Sequence, residues 1–540
     1  MNAFWMTPLG PIGLLLGGGG VLLFSQRYLS WRMRQVLPVG LTLASMAAWL
    51  LLRLQPQGLG QWWVWQAPLE LKTALGVQWD GWVWLVGWLM FVVALSALLL
   101  PSWRERPGFT PPAFWTPLLL AASLLVITAA TWSTLLGAWA LLIFFTAILA
   151  ASPSSNAPRV WSILLLSVLF LLAAPLFNGF ESLLVVLSSE TLNLQAQLLL
   201  LWAVIIPLGV YPFHFWFMSE ESRPRGVQMV LQLTPALAAL YLLGRFELPL
   251  LTSLGWIALA VAGLLGSAIA AWLAGDSAQR WMYVVINRAT WAALSLSLFR
   301  DDSMARMLLP LTSLVLAVLI WTLTLALRRQ YGRWMKWMAL FFLLGFPFTT
   351  GFTLNLSLSQ LATSLIGFPV WLLVLAAQAL LVAAVLRPMH DTESDSQTES
   401  DYLPAGMLAW MLALVVLFGV LWGFFPATLA RSAGLSLSAP YHSVFLQIRS
   451  AGLLTGWMTV LAPVLLGGAL ARWHLRLFYG MERWQKRLMF VVDLRWLERL
   501  LLSVLHYLSI SLGFAADILD GAGQFGWVLL TLLLLWLFMR

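Results

Sequence analysis

The sequence predicts an all-α polytopic membrane protein of about 14–16 transmembrane helices, counting roughly 20 apolar residues per crossing. Three observations predict it. Hydrophobic residues fill 61% of the 540 positions, charged residues only 9%, and the mean hydropathy is +0.88. A chain of that make-up has too little polar surface to face water, so the bilayer is its solvent. Long apolar runs follow one another from Met1 almost to Arg540, separated by short charged or Gly/Pro-marked loops. Ionisable side chains are nearly absent from those runs, as expected where every charge must be desolvated.

In chain order, spans are read near 8–26, 37–54, 82–100, 115–131, 133–151, 160–178, 197–217, 226–245, 251–273, 281–299, 307–327, 335–358, 366–387 and 408–425, with further runs near 452–471 and 524–539. The first run has no basic segment before it and no small-residue cleavage pattern after it, so it is read as a retained helix. Gly17 to Gly20 lies inside that run. It has no strand, spaced third glycine or lysine to make a phosphate cradle, and is assigned to close helix packing. From Phe478 to Phe514, Arg, Lys and Glu alternate with Leu, Trp and Val at helical spacing, which predicts an amphipathic helix along the membrane surface. His390 to Asp401 is strongly acidic and weakly hydrophobic, which predicts a flexible loop. It lacks the glycine and terminal glutamate of a calcium-binding hand.

The net charge of +9 comes from 27 Arg and three Lys scattered through short loops. A nucleic-acid partner would call for one basic face, so these residues are read as orientation signals. The loops around Arg27, Arg32 and Arg34, around Arg328, Arg329 and Arg333, and around Arg483, Lys486 and Arg487 are the cytoplasmic candidates. With no cysteine, the chain holds no disulfide, iron–sulfur cluster or Cys-ligated zinc. Its five histidines, His214, His390, His442, His474 and His506, are far apart in sequence, so no haem or metal site is expected. No nucleophile–base pair or catalytic carboxylate pair stands out either. Many of the 33 tryptophans, including Trp62, Trp63, Trp65, Trp103, Trp216, Trp334 and Trp337, stand where apolar runs meet loops and are read as an interfacial belt.

The few polar groups in or near spans are the functional candidates. Asp80 and Glu181 lie near span ends, His214 closes the seventh span, Arg245 closes the eighth, and Arg288 sits well inside the tenth. A candidate polar line comprises His214, Tyr283, Asn287, Arg288, Thr349, Thr350 and Asn355.

Four motifs then carry a resemblance. Gly209-Val-Tyr-Pro-Phe-His-Phe-Trp-Phe217 is followed by Glu220, Glu221, Arg223, Pro224 and Arg225. It resembles the Phe-Pro-Phe-His-x-Trp segment of the antiporter-like membrane subunits of respiratory complex I, a family shared with multi-subunit cation/proton antiporters and membrane-bound hydrogenases. Gly345-Phe-Pro-Phe-Thr-Thr-Gly-Phe352 is similar to that family's Gly-Leu-Pro-x-Thr-x-Gly-Phe signature. Gln279-Arg-Trp-Met-Tyr-Val-Val-Ile286 looks like its Lys-Arg-x-x-Ala-Tyr-Ser-Ser-Ile stretch, and Trp79-Asp-Gly81 like an Asp-Gly before the third span. The resemblance covers most of the chain and implies two inverted five-helix repeats with broken helices in the seventh and twelfth spans, near Pro207 and Pro347. The expected organisation is N-terminal helices over 1–110, repeats over 111–245 and 246–390, an acidic loop over 391–403 and C-terminal helices with the amphipathic segment over 404–540. The extra C-terminal runs are similar to those of the longest, distal complex I subunit, and Asp517-Ile-Leu-Asp-Gly521 matches its terminal Asp-Gly only briefly.

The family moves protons with a glutamate in the fifth span, lysines in the seventh and eighth, and a lysine or glutamate in the twelfth. By the motif register those positions hold Ala140, Pro207, Leu237 and Asn355. Lys72, Lys336 and Lys486 are the only lysines, and none falls at those positions; Lys336 stands only at the start of the twelfth run. Neutral side chains cannot bind or release a proton. The expectation is a membrane-arm subunit of a complex I-like assembly with a degenerate proton pathway and a structural or coupling role. It would have no cofactor of its own, would lie beside other membrane subunits and lipid, and would sit in a bacterial cytoplasmic membrane. The alternative is an ion or inorganic-carbon transporter subunit that uses the non-lysine polar line.

Overall fold

The computed structural model describes residues 7–513, leaving out 55–57, 67–71, 101–111, 152–156, 179–186, 188–191, 218–224, 247, 298–302, 332–333, 364–366, 388–404, 438–441, 444, 447–452, 478–481 and scattered positions from 493 to 512. The acidic loop, Glu181, Glu220, Glu221, Trp103, Asp517 to Gly521 and the final apolar run therefore lie outside the described residues, as do the side chains of Trp62, Trp63 and Trp65.

Helices form where the apolar runs are. In order they are α1 (Leu9–Ser25), α2 (Trp31–Leu51), α3 (Gly81–Leu99), α4 (Pro112–Thr128), α5 (Trp132–Ala151), α6 (Ala157–Asn178), α7 (Leu194–Leu208), α8 (Arg225–Arg245), α9 (Leu254–Leu273), α10 (Ser277–Ser295) and α11 (Ser303–Tyr331). The twelfth span is split into α12 (Trp334–Leu343) and α13 (Thr350–Ser359), and α14 (Gly367–Leu386), α15 (Ala405–Phe424), the short α16 (Pro426–Ser432) and α17 (Leu453–Leu477) follow. Nine of the described helices are long and apolar enough to cross a membrane, and Leu9–Ser25, Ala113–Thr128 and Leu194–Leu208 are shorter apolar helices. Short polar side chains start them. Asp80 accepts from the Val83 N–H at 2.8 Å, Asn193 from Ala196 at 2.8 Å, Ser253 from Trp256 at 3.2 Å and Asp276 from Gln279 at 2.6 Å. Each satisfies an amide that the helix itself leaves open.

One element departs from the purely helical expectation. Between the second and third spans, β1 (Gly58–Gln66) pairs antiparallel with β2 (Lys72–Trp79), with Gly58 opposite Trp79 and Gln66 opposite Lys72. Gln and Gly break the stretch too often for a span, while its Trp and Val residues suit a pleated surface. The hairpin's end is anchored: Val77 bridges to Ala129, and the Ala130 N–H donates to the Gly76 carbonyl at 2.9 Å.

Packing around the centre explains where polar residues are tolerated. The most apolar stretch of α8 is wholly buried and that of α11 is 94% buried, against 22% for α15 and 28% for α2. Helices α3, α4, α7 and α11 surround α8, and α10, α12, α13 and α15 surround α11. A helix enclosed by protein can carry side-chain amides and hydroxyls that lipid would not accept. In the glycine run, a Cβ on Gly18 would come within 2.5 Å of Leu41, and one on Gly19 within 2.8 Å of Leu118, whereas Gly17 and Gly20 meet nothing within 4 Å. Two of the four glycines thus let α1 approach α2 and α4.

Residues 483–540 form a separate compact unit. Its described part includes α18 (Glu482–Val492) from its second residue on, where Trp484, Leu488 and Val491 recur on one face and the Arg487 guanidinium lies 5.8 Å from the Trp484 ring.

Candidate functional site

The twelfth span is interrupted between α12 and α13, and in the seventh the regular helix stops at Leu208; side-chain donors of the protein itself meet carbonyls at each. Pro207 sits in the last turn of α7, which ends at Leu208, and Gly209 follows at φ 68°, a left-handed cap that glycine adopts without strain. The chain turns and forms a short 3-10 segment over His214–Trp216. Trp216 is fully buried, and its Nε1–H donates to the Ile206 carbonyl at 2.7 Å. This corrects the interfacial reading of Trp216: it serves the end of α7. Trp334 and Trp337 are exposed, as an interfacial position requires.

His214 is also fully buried. Its ring stacks on Tyr211 at 5.0 Å and on Phe215 at 5.5 Å, and Tyr283 of α10 meets it edge-on at 5.6 Å. Tyr211 fills a groove on α9, where a Cβ on Gly266 would lie 2.4 Å from its ring. The seventh-span break is thereby seated on α9 and α10.

The second break runs from Leu344 to Thr349 and contains Pro347. Gly345 turns at φ 63° and Phe348 at φ 72°, the latter an uncommon conformation for a bulky residue. It is held by packing: the Phe348 ring stacks on Phe424 at 4.3 Å. A Cβ on Gly423 would lie 2.2 Å from the Phe348 carbonyl oxygen, so only glycine at 423 lets α15 approach this loop.

Three successive carbonyls at the end of α12 receive side-chain donors. Arg288 Nη1–H donates to the Leu343 oxygen at 2.6 Å. The Asn355 amide donates to Leu344 and Gly345, at 2.5 and 3.0 Å. Arg288 Nη2 donates to Asn287 Oδ1 and to Gln378 Oε1 of α14, both at 2.6 Å. Asn287 donates onward to the Leu264 carbonyl at 2.9 Å and Ser267 Oγ at 3.1 Å, both on α9. Thr349 Oγ1 donates to the Phe346 carbonyl at 2.7 Å, and Thr350 is buried beside it in sequence.

The seven residues of the candidate polar line are therefore all buried and fall into two groups. His214 and Tyr283 join the first break to α10; Asn287, Arg288, Thr349, Thr350 and Asn355 gather at the second. Tyr283 and Asn287 share a face of α10 one turn apart.

Of the positions where the resemblance expects charges, Pro207, Leu237 and Asn355 are buried, but Ala140 is exposed on α5. The neighbouring Trp139 faces inward instead, donating to Ser167 Oγ at 2.9 Å, and Ser167 donates to the Ala203 carbonyl at 2.6 Å. The buried glutamines Gln228 and Gln232 on α8 and Gln378 on α14 lie outside the candidate polar line that the sequence suggests. Among the described residues, neither amide atom of Gln232 has a hydrogen-bond partner. Glutamines four apart on the most enclosed helix were the available signal. Arg245, at the end of α8, donates to the Ala129 carbonyl at 2.6 Å and to Gln78 Oε1 at 2.8 Å, tying that end to the hairpin. No group of three or more His, Cys, Asp or Glu able to hold a metal occurs among the described residues.

No family model and no curated protein matches the sequence. Solved structures do. A chain of the Mrp complex from Dietzia sp. DQ12-45-1b matches with a TM-score of 0.73 at 15% identity, over 97% of this chain and 61% of that one. The present chain thus spans less than two thirds of that Mrp chain's length. A chain of the membrane-bound sulfane sulfur reductase, an archaeal respiratory membrane complex, matches with a TM-score of 0.68 at 15% identity, over 98% of this chain and 99% of that one. A chain of respiratory complex I from Thermus thermophilus matches with a TM-score of 0.51 at 18% identity, over 84% and 98%. The chain accordingly has the fold of the antiporter-like membrane subunits that the sequence motifs resemble.

Proposed function

We propose that this chain is a proton-tight subunit in the membrane arm of a complex I-like energy-converting assembly, kept for structure and coupling while electron-transfer cofactors reside on its partners. The observation that carries this reading is Asn355. At the twelfth-span position where the resemblance expects a lysine or glutamate, a neutral amide donates to two carbonyls of the break. It has no proton to release and no free donor with which to order a relay. Buried Pro207 and Leu237 at two further charge positions support the same reading.

The test is purification of the tagged chain from native membranes in gentle detergent, with mass spectrometry of the particle in which it migrates. Co-migration with iron–sulfur and quinone-reducing proteins is the expected result. Recovery alone, or with a single soluble protein, would favour the transporter alternative built on the His214 and Arg288 groups and defeat the assignment.

A further inference from the structure

We infer that Arg288 is a tethered cation occupying the carbonyl site of the broken twelfth span, and that it bars mobile cations, protons included, from the second half of the fold. The inference rests on the proton-tight reading above and names the residue that enforces it.

The charge is permanent, because a guanidinium does not deprotonate in proteins. It is 4% exposed and makes hydrogen bonds to the Leu343 carbonyl, Asn287 Oδ1 and Gln378 Oε1, each at 2.6 Å. All three acceptors are neutral. Between Leu254 and Leu386 the only carboxylates in the sequence are Asp276, Asp301 and Asp302, and the last two lie outside the described residues. Asp276 precedes Arg288 by twelve positions. At 1.5 Å per helical residue that is about 18 Å along α10, too far for an ion pair. Among the described residues, neutral oxygens therefore disperse the Arg288 charge without cancelling it.

Where a helix breaks inside a membrane, its unwound carbonyls are the groups that coordinate a transported cation. In this chain the carbonyls of Leu343, Leu344 and Gly345 are taken, the first by Arg288 and the other two by Asn355. A mobile cation would have to displace a guanidinium held from α10, α12 and α14, and would meet its positive charge on approach. Fixed arginines exclude cations from other pores by the same electrostatic barrier. Lysine would be a poorer occupant, since one ammonium cannot span these acceptors as a planar fork does.

The experiment uses the full-length chain in liposomes, reading proton flux with an internal pH dye under an imposed potassium diffusion potential. Wild type should be tight, Arg288→Gln should raise the flux at least about tenfold, and Arg288→Lys, which keeps the charge, should stay within about threefold of wild type. As a readout independent of flux, Arg288→Ala should gain thermal stability from millimolar guanidinium ions, while wild type should not. A tight wild type with an equally tight Arg288→Gln and no selective guanidinium response would overturn the Arg288 assignment and leave the proton-tight reading intact. A conducting wild type would overturn both.

Discussion

Replacing Asn355 by leucine tests whether the second break is sealed. The substitution removes a side chain that is 5% exposed and donates at 2.5 Å to the Leu344 carbonyl and at 3.0 Å to the Gly345 carbonyl. A buried acceptor that loses its donor costs about 1–3 kcal/mol. Two carbonyls lie at the end of a split helix, where no backbone amide continues the ladder, so the expected loss is about 3 kcal/mol, near the lower half of the summed range. Leucine branches at the same atom but is larger, and its methyl groups cannot sit as close to the two oxygens, so overpacking adds to that loss. The assay is equilibrium unfolding of the purified full chain in mixed micelles, followed by tryptophan fluorescence and helical circular dichroism. A variant within about 0.5 kcal/mol of wild type would mean that water already satisfies both carbonyls, which is the spread of an ordinary surface substitution. The break would then be open, and the sealed-site argument would fail with it.

Two further substitutions probe the same architecture. Gly423→Ala would set a methyl 2.2 Å from the Phe348 carbonyl oxygen and 2.5 Å from the Thr349 nitrogen, both backbone atoms. Overpacking of this kind costs about 1–3 kcal/mol, and the upper end is expected because neither contact can rotate away; unchanged unfolding would show that the loop is not seated on α15. Leu237→Lys returns a charge to the eighth-span position. Helix α8 is wholly enclosed, so an intramembrane lysine should cost about 2.5–3.5 kcal/mol. The variant should remain as proton-tight as wild type in liposomes. Flux restored by this one lysine would reveal an otherwise intact relay.

The spans were legible because apolar length alone selects them: the runs near 82–100, 226–245 and 366–387 became Gly81–Leu99, Arg225–Arg245 and Gly367–Leu386. The break at Pro347 is an expectation of the family resemblance and not of proline alone, since Pro38, Pro175, Pro235 and Pro310 lie inside continuous helices. Partners were not legible. Arg288 drew notice as a lone charge in an apolar run, but its acceptors at Leu343 and Gln378 are 55 and 90 positions away, and only the tertiary fold brings them together. Trp216 was misread for the same reason. A tryptophan at the end of a span suits an interfacial belt as well as it suits a carbonyl ten residues back, and burial decides between them. The hairpin escaped notice because its signal is short-range alternation, weak beside the long runs that flank it.

The two breaks argue together for closure. A discontinuous helix leaves carbonyls open at one end and amides at the other, and inside a bilayer these must bind something. A transport site leaves that valence to a substrate. In this chain the Ile206 carbonyl accepts from the Trp216 indole at the first break, and Leu343, Leu344 and Gly345 accept from Arg288 and Asn355 at the second. Every one of these donors is a side chain of the chain itself, and none is a group that titrates near neutrality. On the proposed reading, these interruptions lack the lysine and carboxylate side chains that would make them reversible proton sites. Geometry of this kind can pass force or position between neighbouring helices, since the breaks remain packed against α9, α10 and α15. On the proposed reading, and with Arg288 in place, it offers a proton no lysine or carboxylate at either break.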